Sequence, residues 1–307
     1  MANKTLTKAK AAKNDEFYTQ FYDIEREMEA YLDYNRDVFR GKTVLLPCDD
    51  PEWSNFTRYF AQNFEALGLR KLISTSYAPE SKTYKSGFQL SLFEKNSPKF
   101  DKDKTKTHGK IFILTEDTTG DGVINLDDLQ WDYLEGDGDF RSEEVTRLRD
   151  EADIIVTNPP FSLFREFVAW IMDGGKKFII IGNSNAISYK DFFHYILNKQ
   201  IWLGNGFRGG NAYFKSLDER DFASGVFDET TGLVKFRNCC WFTNIDHGKR
   251  HKFIKLMTEA DNIKYSKHKE IKGRGYKHYD NFDAIEVNYY DAIPSDYDGL
   301  MGVAVTF

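Results

Sequence analysis

The sequence predicts an α/β protein with a doubly wound, mostly parallel sheet and a less regular C-terminal region. From residue 43 to about residue 198, short apolar segments alternate with segments of helical periodicity, which is the pattern of βαβ units. In the segment 153–157, every residue after Asp153 is apolar or β-branched, as in a strand buried on both faces. After Gly204 glycines and aromatic residues are interleaved, and the alternation ends.

The predicted elements follow this pattern in order. Strands are expected at residues 43–47, 71–77, 87–93, 110–114, 153–157, 177–182 and 239–243. Helices are expected at residues 52–67, at 143–151, after Pro160, and from Ser188 to about Asn198;. These elements place a first domain at residues 1–204, with an inserted loop or hairpin near 78–130, and a second region at residues 205–307.

Composition excludes several classes of protein. A chain of 307 residues with 41% hydrophobic and 16% aromatic residues can bury a substantial core;. No apolar run approaches the roughly 20 residues that cross a bilayer, and residues 1–13 lack the apolar centre of a secretory signal;. The three cysteines, of which Cys239 and Cys240 are adjacent, give neither a disulfide framework nor a zinc spacing;. We therefore expect a cytoplasmic protein without a membrane segment.

The net charge of −6 is unevenly distributed. Residues 115–155 carry 14 acidic and 3 basic side chains, whereas residues 235–278 carry 12 basic and 4 acidic ones. A basic region beside an acidic flank predicts a protein that holds a polyanion on one side, although a solvated basic helix near residues 249–255 is the plainer alternative. The candidate polyanion contacts are Arg208, Lys249, Arg250, Lys252, Lys267, Lys269, Lys272 and Arg274.

The most informative segment follows the apolar strand and reads Asn158-Pro159-Pro160-Phe161. Two successive prolines cannot continue a β-ladder, because neither has a backbone N–H. Ser162 is then the predicted N-cap of a helix with Phe164, Val168, Ile171 and Met172 on one face;. The segment therefore lies at the carboxyl edge of the predicted sheet, where open α/β sheets bind ligands.

This segment has the groups needed for methyl transfer to an exocyclic amine. The Asn158 side-chain oxygen and the Pro159 carbonyl can both accept hydrogen bonds from an NH₂ group, which directs its lone pair towards an electrophilic methyl group. Phe161 offers a ring for stacking a base, and Pro160 stiffens the segment. The plainer alternative is a Pro-Pro strand terminator followed by a core phenylalanine.

These residues resemble the Asp/Asn-Pro-Pro-Tyr/Phe motif of the amino-type, N6-adenine DNA methyltransferases. The chain is similar in particular to the EcoRI-type adenine methyltransferases, through residues 15–20, 48–51, 136–142, 157–165, 201–204 and 301–303. The resemblance implies a Rossmann-like, class I methyltransferase fold. In this interpretation residues 1–204 are the catalytic domain, and residues 205–307 recognise the DNA target and pack partly on that domain. Since this family usually continues beyond such an end, either a shortened chain or a shorter relative is expected.

The resemblance also implies where S-adenosylmethionine binds. One contact is the segment Phe17-Tyr18-Thr19, and a second is the loop with Asp49 and Asp50 after the first strand, which lacks the usual glycines. A third is Asp139-Phe140, where Asp139 would accept a hydrogen bond from the adenine amine and Phe140 would pack beside the ring. Asn158 completes the set. Without the resemblance, Asp50-Pro51 is explained as the start of a helix.

The function implied is site-specific, S-adenosylmethionine-dependent methylation of N6 of a flipped adenine in duplex DNA. S-adenosylhomocysteine would be the product, and no metal is needed. We further expect a monomer in the bacterial cytoplasm, associated with the nucleoid and paired with a restriction endonuclease of the same site. The alternatives are an amino-methyltransferase acting on RNA or on a protein glutamine, and a non-catalytic DNA-binding subunit.

A possible calcium loop runs from Asp117 to Asp128. Oxygen-bearing residues alternate, and the sixth position is Gly122, but the twelfth is Asp128 instead of glutamate;. The flanks at residues 110–114 and 123–126 favour a hairpin with a tight turn at Gly120-Asp121-Gly122. We therefore predict a hairpin turn here, and no metal site.

Overall fold

The computed structural model describes residues 18–50, 54–78, 97–207, 211–215 and 225–303. Its strands, numbered in chain order, are β1 (Tyr18–Thr19), β2 (Thr43–Leu46), β3 (Lys71–Ser76), β4 (Lys110–Leu114), β5 (Gln130–Tyr133), β6 (Ile154–Thr157), β7 (Lys177–Asn183), β8 (Trp202–Leu203), β9 (Asn211–Lys215), β10 (Phe227–Asp228), β11 (Leu233–Arg237), β12 (Cys239–Thr243), β13 (His278–Tyr279), β14 (Phe282–Val287) and β15 (Leu300–Val303). Its α-helices are α1 (Phe21–Tyr34), α2 (Asn55–Gln62), α3 (Phe64–Leu67), α4 (Lys104–Thr107), α5 (Glu143–Glu151), α6 (Phe164–Asp173), α7 (Lys190–Leu197) and α8 (Glu259–Tyr265).

A mixed α/β architecture with a large, mostly parallel sheet is confirmed. Among the described residues this sheet has the order β5-β4-β3-β2-β6-β7-β12-β8. The central pairs β3–β2, β2–β6 and β6–β7 are parallel, and only β4 and β12 run against the common direction. The arrangement is consistent with a methyltransferase fold. It brings the carboxyl ends of β3, β2 and β6 to one edge.

Both faces of the central strands are buried. On one face Val44, Leu46, Ile154 and Val156 join the main hydrophobic core, together with side chains of α1 and α2 such as Met28 and Phe60. On the other face Leu45 and Ile155 are also fully buried. This double burial explains why these strands lack polar alternation.

The chain forms two compact units. The first comprises Met1–Ala186 and Asp191–Arg250, and the second comprises Ile187–Lys190 and His251–Phe307. The first unit holds the large sheet and a small sheet of order β1-β9-β11-β10, while the second holds the sheet β13-β14-β15. The sequence instead predicts a division at residue 204, into a catalytic domain and a DNA-recognition region. That functional division stays a prediction.

Several predicted boundaries were wrong. The single helix predicted at residues 52–67 is instead α2 and α3, which meet at Asn63, whose side chain donates to the Tyr59 carbonyl at 2.8 Å;. The N-cap of α2 is Ser54, which accepts from the Phe56 N–H, and Asp50 does not have that role. Residues 87–93 lie outside the described residues.

Two predicted helix caps were also wrong. Ser162 does not cap α6, because Phe161–Leu163 form a 3₁₀ turn closed by the Leu163 N–H and the Pro160 carbonyl at 3.0 Å. Ser188 is the last residue of the 3₁₀ turn Ser184–Ser188, and α7 begins at Lys190. In both places a tight turn comes between the strand and the next α-helix.

The hairpin predicted at residues 110–126 was wrong in its second strand. β4 pairs with β5, and Leu126–Asp128 form a 3₁₀ turn between them. Asp117 accepts backbone N–H bonds from Gly120 and Gly122, and Asp128 accepts them from Thr118, Thr119 and Asn125. These bonds lower the pKa of both carboxyls. The carboxylates therefore organise the loop backbone themselves.

Within the described residues, no group of three or more His, Cys, Asp or Glu side chains is arranged to hold a metal ion. Nor does any described helix have the length and apolar character required to cross a bilayer.

Candidate active site

Three loops meet at the carboxyl edge of the large sheet. The loop after β2 is tied to β3 by the Asp49 N–H, which donates to the Thr75 carbonyl at 2.9 Å. It is tied to β6 by the Thr157 hydroxyl, which donates to Asp49 Oδ2 at 2.6 Å. The loop at residues 137–140 joins the end of β3, where the Ala78 N–H donates to the Asp137 carbonyl at 2.8 Å. The structure therefore brings three of the predicted site segments to one edge.

The Asn158–Phe161 segment leaves β6 at this edge. Asn158 is half-buried, with its Oδ1 atom buried, and Pro159 is buried. The half-buried Phe161 ring packs against Phe214 and Phe236, with centroid distances of 6.2 and 5.7 Å. The small sheet thus supports the motif from one side and fixes the position of the Phe161 ring.

The N-terminal segment joins the site through the small sheet. Thr19 lies opposite Phe214 in the β1–β9 pair, so both side chains are on the same face;. Tyr18 lies opposite Lys215 on the other face, and Phe17 is outside the described residues. The Thr19 hydroxyl is buried and has no hydrogen-bond partner among the described residues. Thr19 is therefore the better placed of the two for a polar ligand.

The two carboxylates after β2 differ in environment. Asp49 is 5% exposed, and its oxygens accept from the hydroxyls of Ser54 and Thr157, each at 2.6 Å. Asp50 is half-buried. Asp49 is thus committed to contacts within the protein, and Asp50 is the more accessible of the two carboxylates.

The Asp139-Phe140 pair is also at the edge, but its side chains have partners. The Asp139 carboxylate accepts from Arg141 Nε and Nη2 at 2.9 and 2.6 Å, and this contact raises the pKa of Arg141. Arg141 Nη1 donates to Glu166 at 2.9 Å. Phe140 is 4% exposed and packs on Phe167 and Trp170 of α6. The Asp139 carboxylate also accepts from the Arg141 backbone N–H at 2.9 Å, so three hydrogen bonds connect Asp139 to Arg141.

The predicted DNA contacts fall in both compact units. In the first unit Lys249 Nζ donates to the Asn205 carbonyl at 2.6 Å, and Arg250 lies over the Trp202 ring at 3.8 Å. Arg208 is outside the described residues, and Lys252, which belongs to the second unit, is exposed. In the second unit Lys267 pairs with Asp291 at 2.7 Å, which raises the pKa of Lys267. Lys269, Lys272 and Arg274 are exposed, and none of them forms an ion pair with a described residue.

The sequence prediction missed two kinds of residue at this edge. Ser54 and Thr157 hold Asp49, and Ser54 had a recognisable signal as an N-cap before an apolar helix;. Glu27 of α1 is 1% exposed, with its pKa raised by burial, and accepts from the Asn205 and Gly206 N–H groups at 2.8 and 2.9 Å. Its signal was a carboxylate on an otherwise apolar helix face.

The mixed α/β fold and the Asn-Pro-Pro-Phe segment at its sheet edge are consistent with a methyltransferase. The family described as "Adenine-specific methyltransferase EcoRI" matches residues 5–307. The chain belongs to this family, and the predicted resemblance is confirmed.

Named relatives agree with the family match. The type II methyltransferase M.EcoRI of Escherichia coli is 41% identical over 308 residues, covering 99% of this chain and 85% of the relative. M.MpnI of Mycoplasma pneumoniae is 31% identical, covering 98% and 81%. M.MgeORF184P of Mycoplasma genitalium is 32% identical, also covering 98% and 81%. No solved structure matches the chain.

Proposed function

We propose that this enzyme transfers a methyl group from S-adenosylmethionine to N6 of a flipped adenine in duplex DNA, as the modification enzyme of a type II restriction–modification system. The observation that carries the proposal is the buried Asn158 Oδ1 beside Pro159, at the sheet edge where the loops with Asp49 and Asp139 converge. The fold is of the Rossmann-like class I type, and residues 205–307 recognise the target. The enzyme is a monomer of the bacterial cytoplasm and nucleoid, with a cognate endonuclease.

The residues at this edge fit a cationic, amine-bearing methyl donor. Asp50 would accept from the ammonium group, Asp139 would accept from the adenine amine, and the buried Thr19 hydroxyl would receive the hydrogen bond that no described residue gives it;. When bound, S-adenosylmethionine supplies an electrophilic methyl group with its own leaving group. No metal is needed for that chemistry.

The catalytic segment would act on the target amine. Asn158 Oδ1 and the Pro159 carbonyl accept the two N–H bonds, which favours the geometry in which the nitrogen lone pair is available for attack. Pro159 and Pro160 hold these acceptors in place before reaction, because their φ angles are fixed. Phe161 contacts the flipped base with the part of its ring that Phe214 and Phe236 leave accessible;.

The proposal is tested by expressing the chain in cells without adenine methylation and sequencing the modified bases in their DNA. N6-methyladenine confined to one short sequence is the expected result. Unmodified DNA together with methylated RNA or glutamine would replace the proposal with an alternative amino-methyltransferase. DNA binding without any methyl transfer would indicate a non-catalytic subunit.

The basic residues of the second unit give a separate prediction. If Lys269, Lys272 and Arg274 contact phosphates, replacing all three by glutamine should weaken binding to every duplex alike. Each lost contact should lower the log–log salt slope of the affinity by about 0.9.

A matched control for this prediction is Lys267→Gln, because Lys267 already pairs with Asp291. Affinity is measured across a salt series for the parent, the triple variant and the control. Coincident slopes for the parent and the triple variant would show that this surface is merely solvated.

A further inference from the structure

A buried carboxylate connects the loop after β2 to the catalytic strand. Asp49 accepts from Ser54 Oγ with one oxygen and from Thr157 Oγ1 with the other, both at 2.6 Å. Ser54, Asp49 and Thr157 are all at most 5% exposed. Burying a carboxylate is costly unless its oxygens accept hydrogen bonds, so these two hydroxyls are energetically significant partners.

The backbone of Asp49 is fixed as firmly as its side chain. Its N–H donates to the Thr75 carbonyl at 2.9 Å. Its own carbonyl accepts from Thr57 Oγ1 at 3.2 Å and also from Ser74 Oγ. Asp49 is thus held from β3, from α2 and from β6 at once, and it has little freedom to follow a ligand.

Thr157 is the last residue of β6 and the direct neighbour of Asn158. A hydrogen bond from its hydroxyl therefore fixes the point from which the catalytic segment leaves the sheet. The other end of that bond is in the loop proposed to hold the methyl donor. The separation between the donor site and the amine-accepting oxygens thus depends on this contact.

We propose that Asp49 is a positioning residue for Asn158, acting through the Thr157 hydroxyl, and that it is not a ligand of the methyl donor. This inference rests on the proposed function and deepens it. Displacing reacting groups by about 1 Å can slow an enzyme about 10²-fold. Losing the Asp49–Thr157 bond should therefore slow methyl transfer without weakening donor binding.

The test uses Thr157→Val, which keeps the shape of the side chain and removes the hydroxyl. We expect single-turnover methyl transfer to fall about 10²-fold. The affinity for S-adenosylhomocysteine, measured by calorimetry, should stay within about threefold of the parent. Thr157→Ser keeps the hydroxyl and should restore most of the rate. Asp49→Asn should behave like Thr157→Val.

The matched control is Thr243→Val. Thr243 is also fully buried at the end of a strand, and its hydroxyl donates to the Phe178 carbonyl at 2.7 Å. It lies opposite Ile179, near the amino end of β7 and thus at the other edge of the sheet. This variant should lose stability to a similar extent and transfer methyl groups at the parental rate.

Hydrogen exchange gives a readout that does not depend on catalysis. The amides of Asn158 and Phe161 should exchange faster in Thr157→Val than in the parent, and should be unchanged in Thr243→Val. The inference would be overturned if the amides of Thr157→Val exchanged at the parental rate, or if methyl transfer slowed equally in Thr157→Val and Thr243→Val. A loss of S-adenosylhomocysteine affinity in Asp49→Asn alone would also overturn it. An inactive parent would instead refute the proposed function, and the exchange result would still decide the role of Asp49.

Discussion

Asn158→Ala is expected to slow methyl transfer by about 10²–10³-fold while leaving duplex DNA affinity nearly unchanged. The reason is that, in the proposed mechanism, the Asn158 oxygen would accept from the target amine most strongly as the amine nitrogen becomes tetrahedral. A group used chiefly in the transition state contributes to the rate and little to ground-state binding. Single-turnover transfer of labelled methyl to a duplex, with affinity measured in parallel, checks both parts.

Asn158→Asp is the informative companion. It keeps an acceptor of the same shape at a position where the related motif allows either residue. We expect it to retain more activity than Asn158→Ala. Rates for Asn158→Ala within about threefold of the parent would refute the role proposed for this side chain.

Gly138→Ala should disrupt the loop that carries Asp139. Gly138 has φ +84°, and a Cβ atom there would lie 2.3 Å from the Ser76 carbonyl oxygen. A left-handed non-glycine residue alone costs roughly 1–3 kcal/mol, and the backbone collision adds to that cost. We expect a lower free energy of unfolding and a weaker affinity for S-adenosylhomocysteine.

Gly136→Ala is the matched control, since nothing lies within 4 Å of a Cβ atom at Gly136. Denaturant unfolding and calorimetry on both variants separate the close approach at Gly138 from a general effect of removing a glycine. If the two variants have equal stability and equal donor affinity, then the loop does not depend on the contact between Gly138 and β3.

Much of the fold was predictable because its signals are local. β4, α5 and β12 have the predicted bounds, since each is a short segment of uniform periodicity with clear ends. The Asn158–Phe161 segment was predicted to leave a buried strand, and it does so after Thr157. Two prolines that follow four apolar or β-branched residues, with only Asn158 between, leave few other conformations;.

The prediction errors occurred where residues distant in the sequence decide the strand pairing and the packing of side chains. The second strand beside β4 is β5 instead of residues 123–126, because strand pairing depends on which segment fits the sheet edge. Phe161 packs on Phe214 and Phe236, whose side chains reach it only because β9 and β11 pair in one register. A shift of β11 by one residue in that register would turn the Phe236 ring to the opposite face, away from Phe214;.

By itself the sequence determined the family, the α/β class and the point at which Asn158–Phe161 leaves the sheet, because these depend on residue types and spacings along the chain. Only the tertiary structure decided which carboxylate after β2 is accessible and which is buried. Asp49 and Asp50 are neighbours in the sequence, yet Asp49 is enclosed by the hydroxyls of Ser54 and Thr157. Thr157 and Asp49 are 108 residues apart in the sequence, with β3, β4 and β5 between them. The parallel pairing of β2 with β6 brings the two residues together.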